Sequence, residues 1–214
     1  GVLAAPQLPE NPRGAALLEA FAGRGVTVTH VTDKEFQSAA ETDSPQGFLS
    51  VARVPAAGEI VVPPTGEWRP LVLDAVQDPG NVGTIIRTAA AMGASGVFAL
   101  PGTVDVWNAK VVRSAMGAQF HFPARPVEWE AFHDVCAQTG TALWGADMGG
   151  TDVASLTPPA RCALVVGNEG SGLSPHVRDA LSQVVSLPIS PIVESLNVAV
   201  AAGILMYALR LPRP

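Results

Sequence analysis

The sequence predicts an open, doubly wound α/β domain with a parallel sheet, preceded by a smaller α/β unit. Three observations carry this reading. Six short apolar runs alternate with helical segments from residue 70 to residue 210, the pattern of buried parallel strands joined by crossover helices. A stretch rich in proline and glycine, VPAAGEIVVPPTGEWRP at 54–70, divides the chain. The composition is 48% hydrophobic and 15% charged over 214 residues. That suffices for a substantial core and excludes a disordered chain.

In the first unit, Val2 to Ala5 reads as a short strand and Arg13 to Ala22 as a helix. An alternating strand follows at Val26, Val28 and Val31, then a short helix opening at Asp33 and a strand over 47–54. The chain lacks an initial methionine and begins almost directly in a strand, so the expectation is a unit whose first elements are missing. The expected division is 1–53, a linker at 54–69 and a larger domain at 70–214.

In the larger domain the apolar runs 70–76, 95–100, 118–124, 141–147, 162–168 and 184–189 read as strands. Helices are expected over 82–92, 107–115, 127–138, 174–182 and 195–210, with Ser174-Pro175 as an N-cap and first-turn pair. In such sheets ligands gather at the carboxyl ends of the strands. Three loops there stand out.

The first, Asp78 to Arg87, has a Pro79-Gly80 turn, Asn81 placed to cap the next helix, and a sheet-facing stripe of Val82, Ile85, Ile86, Ala89 and Gly93. Arg87 falls on the opposite face, as either a solvated arginine or a functional one. The second, Val165 to Leu173, packs three glycines into six residues around Glu169. Glycine permits close approach or positive φ. A carboxylate repels phosphate, so the loop is either an ordinary connection or a seat for a nucleoside or sulfonium cation. The third, Leu187 to Asn197, opens the last helix with Ser195 and Asn197. Capping is the simpler role for Ser195. The helix itself is apolar nearly all round, which predicts burial on several sides and a subunit interface made by Val198, Ala201, Ala202, Leu205, Met206 and Leu209.

The net charge of −6 gives no support for a nucleic-acid partner. Cys136 and Cys162 lack metal-ligand spacing, so no metal is expected and a reducing cytoplasm is the default compartment. No run reaches the roughly 18 apolar residues of a membrane span, and no signal-peptide pattern opens the chain.

Together the three loops resemble the motifs of the SPOUT class of methyltransferases, specifically the TrmH/SpoU family of RNA 2′-O-ribose methyltransferases. Asn81, Gly83 and Arg87 match N-x-G-x-x-x-R, Gly167 to Leu173 match G-N-E-G-x-G-L, and Ser195 to Ala202 match S-L-N-V-x-V-A-A. Arg113 to Ala118 looks like a fourth segment, R-x-S-x-G-A. The stretch SPQGFLSVARVP looks like the end of the ribosomal-protein-like RNA-recognition domain found before many catalytic domains of the family. The resemblance implies a C-terminal trefoil knot, an obligate homodimer through the last helix, and S-adenosylmethionine as methyl donor. It departs at Pro191, where the family usually carries glycine. Proline fixes φ and removes an amide donor, so a reshaped donor loop is expected.

By the same resemblance Arg87 activates the ribose hydroxyl, with Asn81, Glu169, Ser195 and Asn197 arranged around it. An arginine with a pKa above about 12 is a poor base. Binding the neighbouring phosphate and stabilising developing oxyanion charge suits it better, with direct proton abstraction as the competing account. Donor contacts are expected from Leu100, Pro101 and Gly102, from Gly167, and from Leu187, Ile189 and Leu196; RNA contacts are expected from Arg87 and Arg113. Ribosomal RNA is favoured over transfer RNA. A non-catalytic RNA-binding relative and a base methyltransferase are the alternatives, against which the presence of Arg87 and Asn197 and the Asn81–Arg87 spacing weigh.

Overall fold

A computed structural model describes residues 1–42, 44–56 and 58–209. The chain forms two compact units, Gly1–Ala56 and Ala57–Pro214.

The first unit has a three-stranded sheet in the order β2-β1-β3, built from β1 (Val2–Ala4), β2 (Val28–His30) and β3 (Phe48–Ser50). β1 runs parallel to β2 and antiparallel to β3. Asn11 caps α1 (Pro12–Gly23) by accepting from the Arg13 amide. Thr32 and Glu35 make a reciprocal capping box at the start of α2 (Asp33–Ala39).

The second unit carries a fully parallel six-stranded sheet in the order β6-β5-β4-β8-β7-β9. Its strands are β4 (Leu71–Leu73), β5 (Val97–Ala99), β6 (Ala124–Pro126), β7 (Ala142–Asp152), β8 (Cys162–Val166) and β9 (Gln183–Ser186). The helices are α3 (Pro79–Met92), α4 (Ala109–Ser114), α5 (Trp129–Thr139), α6 (Pro175–Asp179) and α7 (Val198–Ala208). The alternating faces of β4 and β8 feed two cores. Leu71, Leu73, Leu164 and Val166 pack with α3 and α7, while Val72, Ala163 and Val165 pack with Trp68, Phe98 and Phe132. A strand buried on both faces has no polar side to show, which explains the unbroken apolar runs. Ile60 and Val62 pack on the second core and Trp68 is buried, so the latter half of the expected linker belongs to this unit. Among the described residues no helix is long and apolar enough to cross a membrane.

Several expected elements shift, each for a local reason. α3 starts at Pro79 because the Asp78 carboxylate, not Asn81, caps it by accepting from the Asn81 amide at 2.7 Å. Gly93 is the exposed left-handed C-cap, at φ 76°, and no part of the sheet-facing stripe. The expected strand at 118–124 is a 3-10 turn, Ala118–Phe120, followed by β6, because Met116 and Gly117 both take positive φ and reverse the chain. β7 runs on to Asp152 through a register shift against β9. There a Cβ on Gly150 would stand 2.7 Å from the Val184 backbone. α7 starts at Val198, capped by Asn197 rather than Ser195. Ala202, Leu205 and Leu209, expected at a subunit interface, are instead buried in the first core, and Val200, Ile204 and Tyr207 form the exposed face.

Candidate active site

The carboxyl ends of β7, β8 and β9 surround a cavity of about 270 Å³. Val166, Val185, Leu187, Ile189, Leu196 and Leu205 give it apolar walls, and Asp147 and Glu169 bring carboxylates to its lining. Gly167 stands where a Cβ would meet the Gly172 backbone at 2.4 Å and the Leu173 amide at 2.6 Å. Only glycine lets the 167–173 loop fold back on itself so tightly. Asn168 pins that loop, since its Oδ1 accepts from Gly170 N (2.9 Å) and Ser171 N (3.0 Å) while its Nδ2 donates to Ala75 O beyond β4 (2.8 Å). The buried Asp74 carboxylate accepts from the Ser174 amide at 2.6 Å and ties the loop's far end to the same strand.

Three side chains distant in sequence join at the rim. Asn197 Oδ1 accepts from the Ala199 and Val200 amides at the α7 terminus, at 2.9 and 3.3 Å. Backbone N–H groups cannot accept, so the Asn197 amide is oriented with its NH₂ outward. Nδ2 donates to Asn81 Oδ1 at 2.9 Å, and Asn81 Nδ2 in turn donates to Glu169 Oε1 at 2.9 Å. The positive end of a helix thus sets the direction of the whole chain. It terminates on the Glu169 carboxylate, which also lines the cavity. The Arg178 guanidinium donates to the Asp147 carboxylate and holds it below the usual carboxylate range. The Glu169 carboxylate beside an apolar slot, with Asp147 already paired to Arg178, suits a small molecule with a flat apolar part and a positive charge.

Arg87 is exposed on α3, one and a half turns beyond Asn81, with no hydrogen-bond or ion-pair partner among the described residues. The neighbouring Thr88 packs on α7, where a Cβ on Gly203 would stand 3.3 Å from its methyl group. On the other side, Gly83 admits α4. A Cβ there would lie 2.4 Å from Ser114 Cβ and 2.5 Å from Val111 O.

The structure therefore brings Glu169, Asn81 and Asn197 together directly, and lines the cavity with Gly167, Leu187, Ile189, Ser195 and Leu196. Leu100, Pro101 and Gly102 are not among the lining residues, and Leu100 is buried in the second core. Pro191 is also outside the lining; its turn closes on Ser190, which accepts from Ile192 N and Val193 N. The sequence reading missed Asp74, Asp147 and Asn168. Asn168 was visible in the glycine-rich motif, whereas the two aspartates carry no sequence signal beyond their place at strand ends. Among the described residues no three His, Cys, Asp or Glu side chains come together as a metal site.

Residues 69–207 match the family model described as the SpoU rRNA Methylase family. The chain is 35% identical over 187 residues to the 23S rRNA (guanosine(2553)-2′-O)-methyltransferase RlmP of Bacillus subtilis, covering 87% of this chain and 73% of that protein. It is 32% identical to a 23S rRNA (uridine(2479)-2′-O)-methyltransferase of Streptomyces viridochromogenes, covering 78% of this chain and 61% of the relative. Among solved structures, the SpoU methyltransferase AviRb from S. viridochromogenes in complex with AdoMet superimposes with a TM-score of 0.84 at 28% identity, over 97% of this chain and 80% of that one. An AdoMet-bound rRNA methyltransferase from Sinorhizobium meliloti gives 0.78 at 28% identity, over 97% and 77%. With the family model spanning well over half of the sequence, and a relative above 30% identity matched along most of its length, the chain belongs to the SpoU rRNA methylase family.

Proposed function

We propose that the protein transfers a methyl group from S-adenosylmethionine to a ribose 2′-hydroxyl of ribosomal RNA. The observation that carries this is the polarised Glu169–Asn81–Asn197 chain, which ends at the rim of a cavity whose apolar walls and Glu169 carboxylate suit the donor. When bound there, the donor supplies an electrophilic methyl on a positively charged sulfur. Leu187, Ile189, Leu196 and the Gly167 backbone hold it, with the Glu169 carboxylate opposing its positive charge. Leu100, Pro101 and Gly102 then act from behind, as the packed end of β5 against Ala75, where a Gly102 Cβ would stand 3.1 Å from Ala75 Cβ.

Asn81 and Asn197 are positioning groups: they fix the Glu169 carboxylate and the start of α7, and with Ser195 they frame the entry to the cavity. Arg87 binds the phosphate beside the target ribose and stabilises the developing alkoxide, for which a planar guanidinium is better matched than for taking a proton. Arg113 adds a second phosphate contact. Residues 1–53 contribute RNA recognition, the first part of 54–69 connects, and the unit that begins in its latter half and runs through 70–214 carries the chemistry. A second copy docks on the exposed Val200, Ile204 and Tyr207 face of α7, and the segment after β9 completes the trefoil knot. The buried free thiols of Cys136 and Cys162 fit a reducing cytoplasm.

The test is transfer from methyl-labelled donor into an unmodified transcript of large-subunit ribosomal RNA, followed by digestion to nucleosides. Label in a 2′-O-methylnucleoside is the expected result. Label confined to a base, or no transfer despite donor and RNA binding, would reject this function.

A further inference from the structure

We propose that the turn Met116–His121 is a stacking platform for nucleobases of single-stranded RNA flanking the target nucleotide; this deepens the reading above and rests on it. The turn inverts the ordinary burial pattern. Met116 is 72% and Phe120 65% exposed, while the polar Gln119 between them is buried. Gln119 Nε2 donates to Val106 O at 2.7 Å and anchors the turn from beneath, yet its Oε1 has no partner among the described residues. Backbone strain accompanies the inversion, because Met116 adopts φ 50° directly before Gly117 at φ 86°. A non-glycine residue held in the left-handed region, with two large apolar side chains turned outward over a costly polar core, points to a surface shaped for contact.

Its position ties that surface to the reaction. Ser114 Oγ donates to Gly80 O at 3.0 Å and lies 3.4 Å from Thr84 Oγ1, on the same first turns of α3 that carry Asn81. The 3-10 turn itself packs against α3, the helix of Arg87.

Charge identifies the occupant. Between Asp78 and Glu128 the chain holds four cationic side chains, Arg87, Lys110, Arg113 and Arg125, against a single carboxylate, Asp105, although the whole chain carries −6. Asp105 is spent on capping the Trp107 amide. Arg125 is turned away, over the Phe98 ring and toward the Gly58 and Glu59 carbonyls. Arg87, Lys110 and Arg113 are exposed in the same stretch as the exposed Phe120 ring, the Met116 thioether and the His121 imidazole. Cations for the backbone with an aromatic face for the bases is how unpaired RNA is held.

The experiment uses the full chain and an unmodified large-subunit ribosomal RNA transcript in filter binding over a salt series. Phe120→Ala should weaken RNA binding about tenfold or more at every salt concentration, leaving the slope against log salt unchanged because no phosphate contact is lost. Phe120→Trp should restore affinity, and donor affinity and molecular mass should stay at wild-type values in both. Met116→Gly should weaken RNA binding without lowering the melting temperature, since glycine takes positive φ without strain. Wild-type RNA affinity in Phe120→Ala overturns the platform, and so does a fall in molecular mass, which would assign the surface to a second copy of the chain. If the wild-type protein binds the transcript but transfers no methyl group, the proposed function fails while the Phe120 comparison still decides the platform.

Discussion

The two ends of the six-stranded sheet carry cavities of nearly equal size, about 250 Å³ at the amino ends of the strands and about 270 Å³ at the carboxyl ends. At the amino end the dominant polar group is Arg69, and it is already engaged. Its guanidinium donates to Leu209 O and, at 3.3 Å, to Pro159 O, and Glu67 lies 3.7 Å from its Nε. Leu71, Met92, Leu164, Met206 and Leu209 fill the rest. At the carboxyl end the carboxylate of Glu169 accepts one hydrogen bond from Asn81 and otherwise faces the slot, and the backbone is folded through glycines that bring it close. Volume does not separate the two. What separates them is the charge at their lining: a guanidinium that donates to two backbone carbonyls at the amino end, and a Glu169 carboxylate with a single hydrogen bond from Asn81 at the carboxyl end.

The largest expected effect falls at the carboxyl end. Arg87→Ala should lower turnover about 100-fold or more, the scale of losing one oxyanion donor, while melting and donor affinity stay unchanged. Arg87 is exposed and touches none of the core that Val82, Ile85, Ile86 and Ala89 form. Single-turnover kinetics together with calorimetry of donor binding check this. Normal turnover would make Arg87 a solvated surface residue and move the active site elsewhere.

The next pair sets one end against the other. A methyl group on Gly167 would overlap the Gly172 backbone at 2.4 Å, so Gly167→Ala should cost about 1–3 kcal/mol and sharply weaken donor binding. Arg69→Met removes the donors that satisfy Leu209 O and Pro159 O. It should cost a comparable 1–3 kcal/mol for the unsatisfied carbonyls with donor affinity untouched. Denaturant midpoints and donor calorimetry on both variants separate them. Loss of donor affinity in Arg69→Met would break the division between a functional and a structural end.

How far these regions were legible in the sequence follows from the range of the interactions. The glycine-rich loop and the apolar strands announce themselves because their causes are local: a backbone that needs glycine, or a strand covered on both faces. Caps were misplaced by two or three residues wherever two capable side chains compete, as Asp78 and Asn81 do before α3 and Ser195 and Asn197 before α7. The apolar run at 118–124 imitates a strand, but the positive φ of Met116 and Gly117 turns the chain before it. The link from Asn197 to Asn81 spans 116 residues and that from Asn81 to Glu169 spans 88. No periodicity encodes such a contact. It exists only once β8 and the start of α7 lie beside β4. The run 118–124 reads as a buried strand, and nothing in it shows that Gln119 turns in and Phe120 out.

The smallest effect is a pH dependence that arises between the two ends. Burial pushes the thiols of Cys162, which lines the amino-end cavity, and Cys136, in the second core, up to about 12 from an ordinary 9.0, with Cys162 adding to the rise at Cys136. A thiol that stays protonated in the folded chain up to about pH 12 is matched, in the unfolded chain, by one that ionises from about pH 9. Above pH 9 the unfolded state therefore binds fewer protons, and stability falls as pH rises from 9 toward 12; below pH 9 both states keep their protons and the thiols contribute no slope. The loss is at most about 1.4 kcal/mol per thiol for each pH unit in that window. Urea midpoints of the wild type at pH 8 and pH 10, compared with Cys136→Ala and with the double variant Cys136→Ala, Cys162→Ala, isolate the term. Each alanine lowers stability at both pH values by emptying part of the core, but each should also flatten the decline from pH 8 to pH 10. An unchanged decline in the double variant would mean that neither thiol is held protonated by burial, and that both reach solvent in the folded chain.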